Sequence, residues 1–456
     1  LAEGGRIATY THLNEPSTTG YASFLSSIAK RKIYLDDGSS KSNPDPVIFP
    51  APELTASNTL RMGDTVANLS GILDYRNSAY KVQQVGTVSF VHNNLRPAAP
   101  TGTGGTLKVA SANVLNYFNT FVDCYNGVGD DAVVGDCRGA DDATEFARQR
   151  AKIIAELVAL DADIIGLMEI ENDGYSAESA LQDLVNGLND ALGAGTYAFI
   201  DPDLANGLNA LGADYIRVAM LYKPAAVTPL GDPAVLSTGA FTQVDDVTTL
   251  GSERRNRVPL AVTFKDNLMG GVFTVVVNHL KSKGTDCDDP TTYLPAGDPD
   301  LGDGQANCNL TRQMAAQEEA AWLATDPTGS GDPDVLIVGD LNAYSLEDPL
   351  RLLRESGYAA SAHVDQQPHY SFVYDGLSGV QPDEIRYLRI WEQVPRPWTA
   401  HRFWPDDATL GQNAVISMYA HVYVKVLHGV VPVEADGSAH FVVPANRNVY
   451  FEVLDA

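Results

Sequence analysis

Apolar and polar positions follow three successive textures along the chain. In residues 1–95, short apolar runs (RKIYLDDG, DPVIFP, DTVANLSGILDY, YKVQQVGTVSFV) are broken by turn formers, and no long 3.6-residue period develops. That pattern predicts a small β-barrel or sandwich. Residues 96–105 (RPAAPTGTGG) have linker composition and mark a domain boundary. From residue 106, apolar runs alternate with amphipathic stretches. In 144–160, Phe146, Ile153, Ile154, Leu157 and Val158 share one helical face; in 176–192, Leu181, Leu184, Val185, Leu188 and Leu192 do the same. A strand is predicted at 214–222 (DYIRVAMLY) and a helix at 310–324, leading into an apolar run from 334. The expectation is an α/β (α+β) domain with helices packed on sheets. After about residue 379 the chain is again strand-rich with tight turns, and no further helix is predicted.

Four apolar runs of strand length in the middle texture close on a polar group. They are 107–113 (LKVASAN), 164–169 (IIGLME), 272–279 (VFTVVVNH) and 335–342 (VLIVGDLN). A buried strand ending in Asn, Glu, His or Asp-x-Asn delivers that side chain to a sheet edge, and four deliveries suggest one composite site. Asp340 and Asn342 point the same way if the chain stays extended. Side by side, a carboxylate and an amide can orient a water and hold a phosphate oxygen; the same pair also serves an ordinary turn. Glu169 at a strand end either pairs with a cation or titrates abnormally. One carboxylate with other oxygen donors suffices for magnesium, and Asn113 offers a neutral oxygen to complete or steady the shell. Glu171 and Asp173 read as solvated. His279 stands at a position more often structural, but Asn278 precedes it and Lys281 and Lys283 follow, which makes a phosphate-facing site. Arg217 and Arg312 add positive charge there or sit on the surface.

Length and charge narrow these readings. A chain of 456 residues exceeds one ordinary core, so two or three domains are expected. The formal charge of −27 argues against broad electrostatic capture of nucleic acid. A nuclease is still compatible with it, because a divalent cation and a few local bases reverse the sign inside a cleft. No apolar stretch reaches the ~18 residues of a membrane span. The chain starts at Leu1 without a signal-like region and so reads as a mature or truncated form. Cys124, Cys137, Cys287 and Cys308 flank two polar loops, and no CxxC occurs. Of three possible pairings the loops favour Cys124–Cys137 and Cys287–Cys308, which implies an oxidising compartment. The Asp-rich second loop could hold calcium, but it lacks the EF-hand spacing.

Together the segments SANVLNYF, ADIIGLMEIEND, ADYIRVAMLYKP, VVNHLKSKG and GDLNAYSLEDP, with the two Cys-bounded loops, resemble the endonuclease/exonuclease/phosphatase superfamily. More narrowly, they look like its secreted bacterial nuclease branch, and the resemblance covers roughly 107–379. It implies a DNase I-like four-layer sandwich at 106–379, preceded by an OB-like β-barrel at 1–95. It also implies roles: Glu169 and Asn113 at a magnesium (or manganese) ion, and Asp340 and Asn342 aligning water and scissile phosphate. His279 would contact or protonate phosphate oxygens, and Arg217, Lys281 and Arg312 would meet substrate phosphate. The reaction would be metal-assisted in-line phosphodiester hydrolysis, with DNA or RNA as substrate, in an extracellular bacterial enzyme.

One departure stands against that assignment. Family members carry two further Asp-His pairs after a segment like HYSFVYDGLSG. Here His401, His421, His428 and His440 follow residue 379 and none is preceded by Asp. The segment from 380 onward (VLHGVVPVEADGSAHFVVPANRNVYFEVLDA) instead resembles a β-rich domain of hydrazine synthase α subunit-like proteins. No CxxCH is present, so no c-type haem is expected. The sandwich is thus expected to lack its last strands, leaving an edge that the C-terminal segment, a partner chain or an oligomer must cover. The alternative function is a non-catalytic extracellular binding or structural protein on the same scaffold.

Overall fold

The computed structural model describes residues 1–358, apart from 3–6, 42–43, 45, 56, 96, 98–105, 136, 243–255, 285–286 and 288–296, and the backbone of three later strands. The chain divides into two compact units, Leu1–Ser361 and Ala362–Ala456. The expected linker at 96–105 falls almost wholly outside the described residues.

The N-terminal segment departs from the OB-like barrel. It opens with helices α1 (Tyr10–Leu13) and α2 (Thr18–Ala29). The Ser17 side chain caps α2 by accepting from the Gly20 N–H. Tyr10 packs against Tyr21 and Phe24 with ring centroids 5.5 and 5.4 Å away. Strands follow: β1 (Tyr34–Asp36), β2 (Thr65–Val66), β3 (Gly71–Arg76), β4 (Ala79–Gln84) and β5 (Phe90–Val91). They form an open sheet in the order β1-β4-β3 and a separate β2–β5 ladder. Ile72, Leu73, Tyr75 and Tyr80 of β3 and β4 are exposed, so the hairpin encloses no barrel interior.

The rest of the first unit runs β6 (Val109–Tyr117), β7 (Cys124–Tyr125), β8 (Val134–Gly135), α3 (Ala143–Leu160), β9 (Ile164–Glu171), α4 (Ala180–Leu192), β10 (Ala198–Phe199), α5 (Asp203–Asn206) and β11 (Ile216–Tyr222). It continues with β12 (Val227–Val235), β13 (Leu260–Asp266), β14 (Val272–His279), α6 (Asn309–Leu323), β15 (Val335–Asp340) and α7 (Asp348–Glu355). Two four-stranded sheets result, in the orders β10-β11-β9-β6 and β12-β13-β14-β15. They meet face to face through Ile164, Met168, Val218 and Met220 on one side and Leu260, Val262, Val275 and Val277 on the other. At Gly166 an added Cβ would lie 2.7 Å from Val277 Cγ2, so this close approach of the sheets needs a glycine.

Helices close both outer faces. Leu157 of α3 and Leu181, Leu184, Val185 and Leu188 of α4 pack on the first sheet. Leu323 of α6 packs against Ala261 and Val276 of the second sheet, and Ala316 and Ala320 pack against Leu353 of α7. This is the expected four-layer DNase I-like sandwich. Each fully buried Leu or Ile contributes about 1.5–3 kcal/mol, so the apolar stripe of α4 outweighs its mixed helix propensities. That helix begins at Ala180 rather than 176 because Ser179 is the cap, accepting from the Gln182 N–H.

Parallel pairing of β6 with β9 and of β14 with β15 brings the C-terminal ends of all four strands to one edge of the sandwich. The outer strand of the second sheet is less protected than its neighbour. From Thr274 to His279, β14 is buried, while the equally apolar β15 is half-buried with Leu336 exposed. Among the described residues no helix is long and apolar enough to cross a membrane.

In the second unit, β16 (Tyr387–Val394), β17 (Val424–Pro432) and β18 (Val449–Leu454) form an antiparallel sheet in the order β17-β16-β18. This fits the strand-rich texture. His401, His421 and His440 lie outside the described residues.

Candidate active site

Glu169 sits at an irregularity that both neighbouring strands share. Opposite β11, the interval Leu167–Ile170 is one residue longer than Arg217–Ala219, a β-bulge. Opposite β6, three residues (Val114, Leu115, Asn116) loop out against Glu169 alone. Glu169 has φ +67°, and Leu115 and Asn116 are also left-handed, conformations that cost a non-glycine residue about 1–2 kcal/mol each. The looped-out chain folds around the carboxylate: the Asn116 N–H donates to Glu169 Oε2 at 3.0 Å. From α3, Gln149 Nε2 donates to the Leu115 carbonyl at 2.6 Å and braces the loop.

The four strand ends converge. Asn113 Nδ2 donates to Glu169 Oε1 at 2.8 Å and stands 3.5 Å from Asp340 Oδ2. His279 Nε2 lies 3.9 Å from Glu169 Oε1. His279 and Asp340 are direct partners in the parallel ladder. The turn reading of Asp340 and Asn342 also holds, since Asp340 Oδ1 accepts from the Asn342 N–H at 2.9 Å. Asn342 Nδ2 donates to the Leu280 carbonyl at 3.0 Å, tying the exits of β14 and β15 together.

This donor set fits a hard divalent cation. Two carboxylates face each other with one amide N–H group between them, and magnesium requires only one or two carboxylates besides water and phosphate oxygens. Glu169 and Asp340 are the residues that would hold it. Asn113 steadies Glu169: its Oδ1 accepts from the Leu115 N–H at 2.9 Å, and its nitrogen faces the carboxylates. In the second disulfide loop, the described carboxylates have local roles. Asp298 accepts from the Leu310 and Thr311 N–H groups, Asp300 from Gly302 and Asp303 from Gln305. Among the described residues no group of three or more His, Cys, Asp and Glu side chains could hold a metal.

His279 is buried, and desolvation together with the nearby Arg257 guanidinium lowers its pKa to about 3, against an opposing pull from Asp214. The imidazole is therefore neutral at ordinary pH. Its one N–H can donate a hydrogen bond to a phosphoryl oxygen, but without the imidazolium form it is not a general acid. Burial also corrects the solvated reading of Glu171, the last residue of β9, and of Asp173 two positions further on. Glu171, which accepts from the Asn119 and Thr120 N–H groups, is pushed up to about 7, and Asp173 to about 6.

The three expected phosphate cations face inward. Arg217 is 2% exposed, donates to the Gly174 carbonyl and lies 3.9 Å from the Tyr175 ring centroid. Arg312 is 0% exposed and donates to the carbonyls of Lys281, Gln305 and Asn307. Lys281 is 8% exposed, its main-chain N–H donating to Asn256 Oδ1. Lys283 pairs with Glu347. A cation acting on His279 is Arg257, whose Nε lies 3.2 Å from Asp214 Oδ2 and whose main-chain N–H donates to the His279 carbonyl. Its signal in the sequence is the arginine cluster ERRNRVP just before an apolar strand.

Both cysteine pairs form as expected, Cys124–Cys137 and Cys287–Cys308, with Cα separations of 5.1 and 5.5 Å. The profile of the Endonuclease/Exonuclease/phosphatase family matches residues 110–409, about two thirds of the chain and all four strand ends. The chain belongs to this family. A second profile, the hydrazine synthase alpha subunit middle domain, matches residues 383–456, so 383–409 fall under both. No curated protein matches. Among solved structures, the chain is similar to the human Nocturnin catalytic domain with bound sulfate (16% identity, 44% of this chain, 60% of that one, TM-score 0.28). It is also similar to a Bacteroides thetaiotaomicron mannosyl-6-phosphatase (14%, 55% and 71%, 0.33) and to D. rerio TDP2 with a single-strand DNA product (13%, 45% and 58%, 0.28). The chain thus spans about 60% of the Nocturnin domain.

Proposed function

We propose that this family member is a divalent-cation-dependent phosphodiesterase acting on nucleic acid outside the cell. The observation that carries the reading is the convergence of Asn113, Glu169, His279 and Asp340 at one sheet edge, with Glu169 in a strained conformation. In this reading Glu169 and Asp340 hold the cation, which when bound supplies charge for the phosphoryl oxygens. Asn113 fixes Glu169, neutral His279 donates to a phosphate oxygen, and Arg257 adds a guanidinium beside it. The two disulfides support an oxidising, extracellular setting.

The test is hydrolysis of double-stranded DNA, single-stranded DNA, RNA and a small aryl phosphodiester with magnesium, manganese or EDTA. Turnover should need the metal, and Glu169→Gln or Asp340→Asn should lower kcat about 100-fold or more. Undiminished turnover in EDTA would sink the proposal. The specific observation favouring a non-catalytic binding protein is that no His after residue 379 follows an Asp. That reading gains if no substrate turns over under any metal condition while oligonucleotides still bind.

A further inference from the structure

Behind the catalytic edge, Asn278 and Glu319 face each other across the β14–α6 interface, both 0% exposed. Asn278 Nδ2 donates to Glu319 Oε1 at 2.6 Å. The other two polar oxygens, Asn278 Oδ1 and Glu319 Oε2, are both buried without a hydrogen-bond partner. The surroundings on α6 are Ala315, Ala316, Ala320 and Leu323, all buried. Among the described residues no cation pairs with Glu319; the titratable group facing it from outside α6 is Tyr358, whose pKa is raised by burial and would be raised further by a charge on Glu319. An ionised carboxylate in such a place, with one neutral hydrogen bond, is strongly disfavoured. One added proton removes both orphans at once, because an acid O–H at Oε2 has a buried acceptor in Asn278 Oδ1.

We propose that Glu319 is held as the neutral acid and joined to Asn278 by two reciprocal hydrogen bonds, making it a positioning residue for the end of β14. Asn278 is the residue before His279 and is the ladder partner of Gly339, itself next to Asp340. A rigid Asn278 therefore fixes both strand ends that the proposed phosphodiesterase reading uses, and the positioning role rests on that reading. Burial raises Glu319 to about 7 against the lowering effect of the Asn278 bond, in the direction the pairing requires. The sign of the linkage follows. Between about 4.5 and about 7 the folded state keeps a proton that the unfolded state has lost, so the pairing's stabilisation is full below 4.5 and declines as pH rises to about 7.

The experiment compares the parent chain with Glu319→Gln and Glu319→Ala. Glutamine supplies an N–H where the acid supplies its O–H and should reproduce the paired geometry without titrating. The melting temperature of Glu319→Gln relative to the parent should rise from about pH 4.5 to about pH 7, with the relative unfolding constant changing about tenfold per pH unit, and level off above. Contributions from His279, Glu171 and Asp173 cancel in this difference. Infrared difference spectra, parent minus Glu319→Gln, should show a protonated carboxylic C=O stretch below about pH 7. Glu319→Ala should lose about tenfold or more in kcat with little change in KM, and Glu319→Gln should restore most of it. Parallel melting curves across the pH range, or no acid C=O stretch, would overturn the pairing; equal losses in the Gln and Ala variants would overturn the positioning role. If the chain hydrolyses nothing, the function reading fails, while melting and infrared data still decide the pairing.

Discussion

Besides Leu115 and Asn116, the candidate site holds Glu169 at φ +67°, Asn342 at +45° and Gly339 at +124°. For Glu169 the strain turns a side chain out of a buried strand toward Asn113 and Asp340, which explains why an apolar run can end there on a carboxylate. Gly339 serves a different purpose. A Cβ at this position would lie 2.1 Å from the Asn278 carbonyl oxygen, an atom of the neighbouring strand that cannot move without opening the ladder. Gly339→Ala should therefore cost at least about 1–3 kcal/mol from backbone strain and displace Asp340, lowering kcat more than it raises KM. Thermal melting and steady-state kinetics on the same sample check this. An alanine variant with parental stability would mean that β14 and β15 are not so closely apposed.

At the level of elements, α6 links the second disulfide to the site. Its first turn is capped from outside by Asp298, whose carboxylate accepts from the Leu310 and Thr311 N–H groups and from the Thr311 hydroxyl. Asp298 is itself tied to both cysteines of the Cys287–Cys308 pair by main-chain hydrogen bonds. The helix then presents Arg312 to the carbonyl cage beneath Lys281 and Glu319 to Asn278. Asp298→Ala should destabilise the unit by about 0.5–2 kcal/mol, the usual worth of a helix cap, and raise amide exchange first in the opening turn of α6. Exchange that rises uniformly instead would argue against a local cap. Such couplings mark where sequence reading stops. The strands at 164–171 and 272–279 are legible as unbroken apolar runs because both of their faces are buried, and the helix at 143–160 because one packed face imposes a 3.6-residue period. The bulge at Glu169 is not, because it depends on register against two other strands. The partners of Arg217 and Arg312 are hidden for a related reason: a guanidinium in sequence does not reveal that it donates to backbone carbonyls, as both do here.

At the scale of the whole first unit, the N-terminal segment and the sandwich fall in one compact unit and are joined by buried polar contacts. Thr11 is buried, and its hydroxyl donates to Glu347 Oε1 at 2.6 Å; the same carboxylate pairs with Lys283, just past the end of β14. The Leu346 N–H donates to the Thr11 carbonyl, His12 Nδ1 lies 3.0 Å from Ser345 Oγ, and the Ser17 N–H donates to the Asp303 carbonyl. Helix α1 is thus strapped onto the loop that follows Asn342. A one-turn helix has no independent stability, so its order derives from this docking, and an autonomous barrel would melt on its own. Glu347 is 0% exposed, and removing one of its partners leaves charge buried with less compensation. Thr11→Val should cost about 1.5–3 kcal/mol, the range for a hydrogen bond to a charged group. It should lower the melting temperature of the sandwich itself, in the same transition that reports on Tyr197 and the α4 core. Calorimetry that instead shows a separate N-terminal transition moving alone, with the sandwich unaffected, would restore the two-domain picture that the sequence of residues 1–95 suggests.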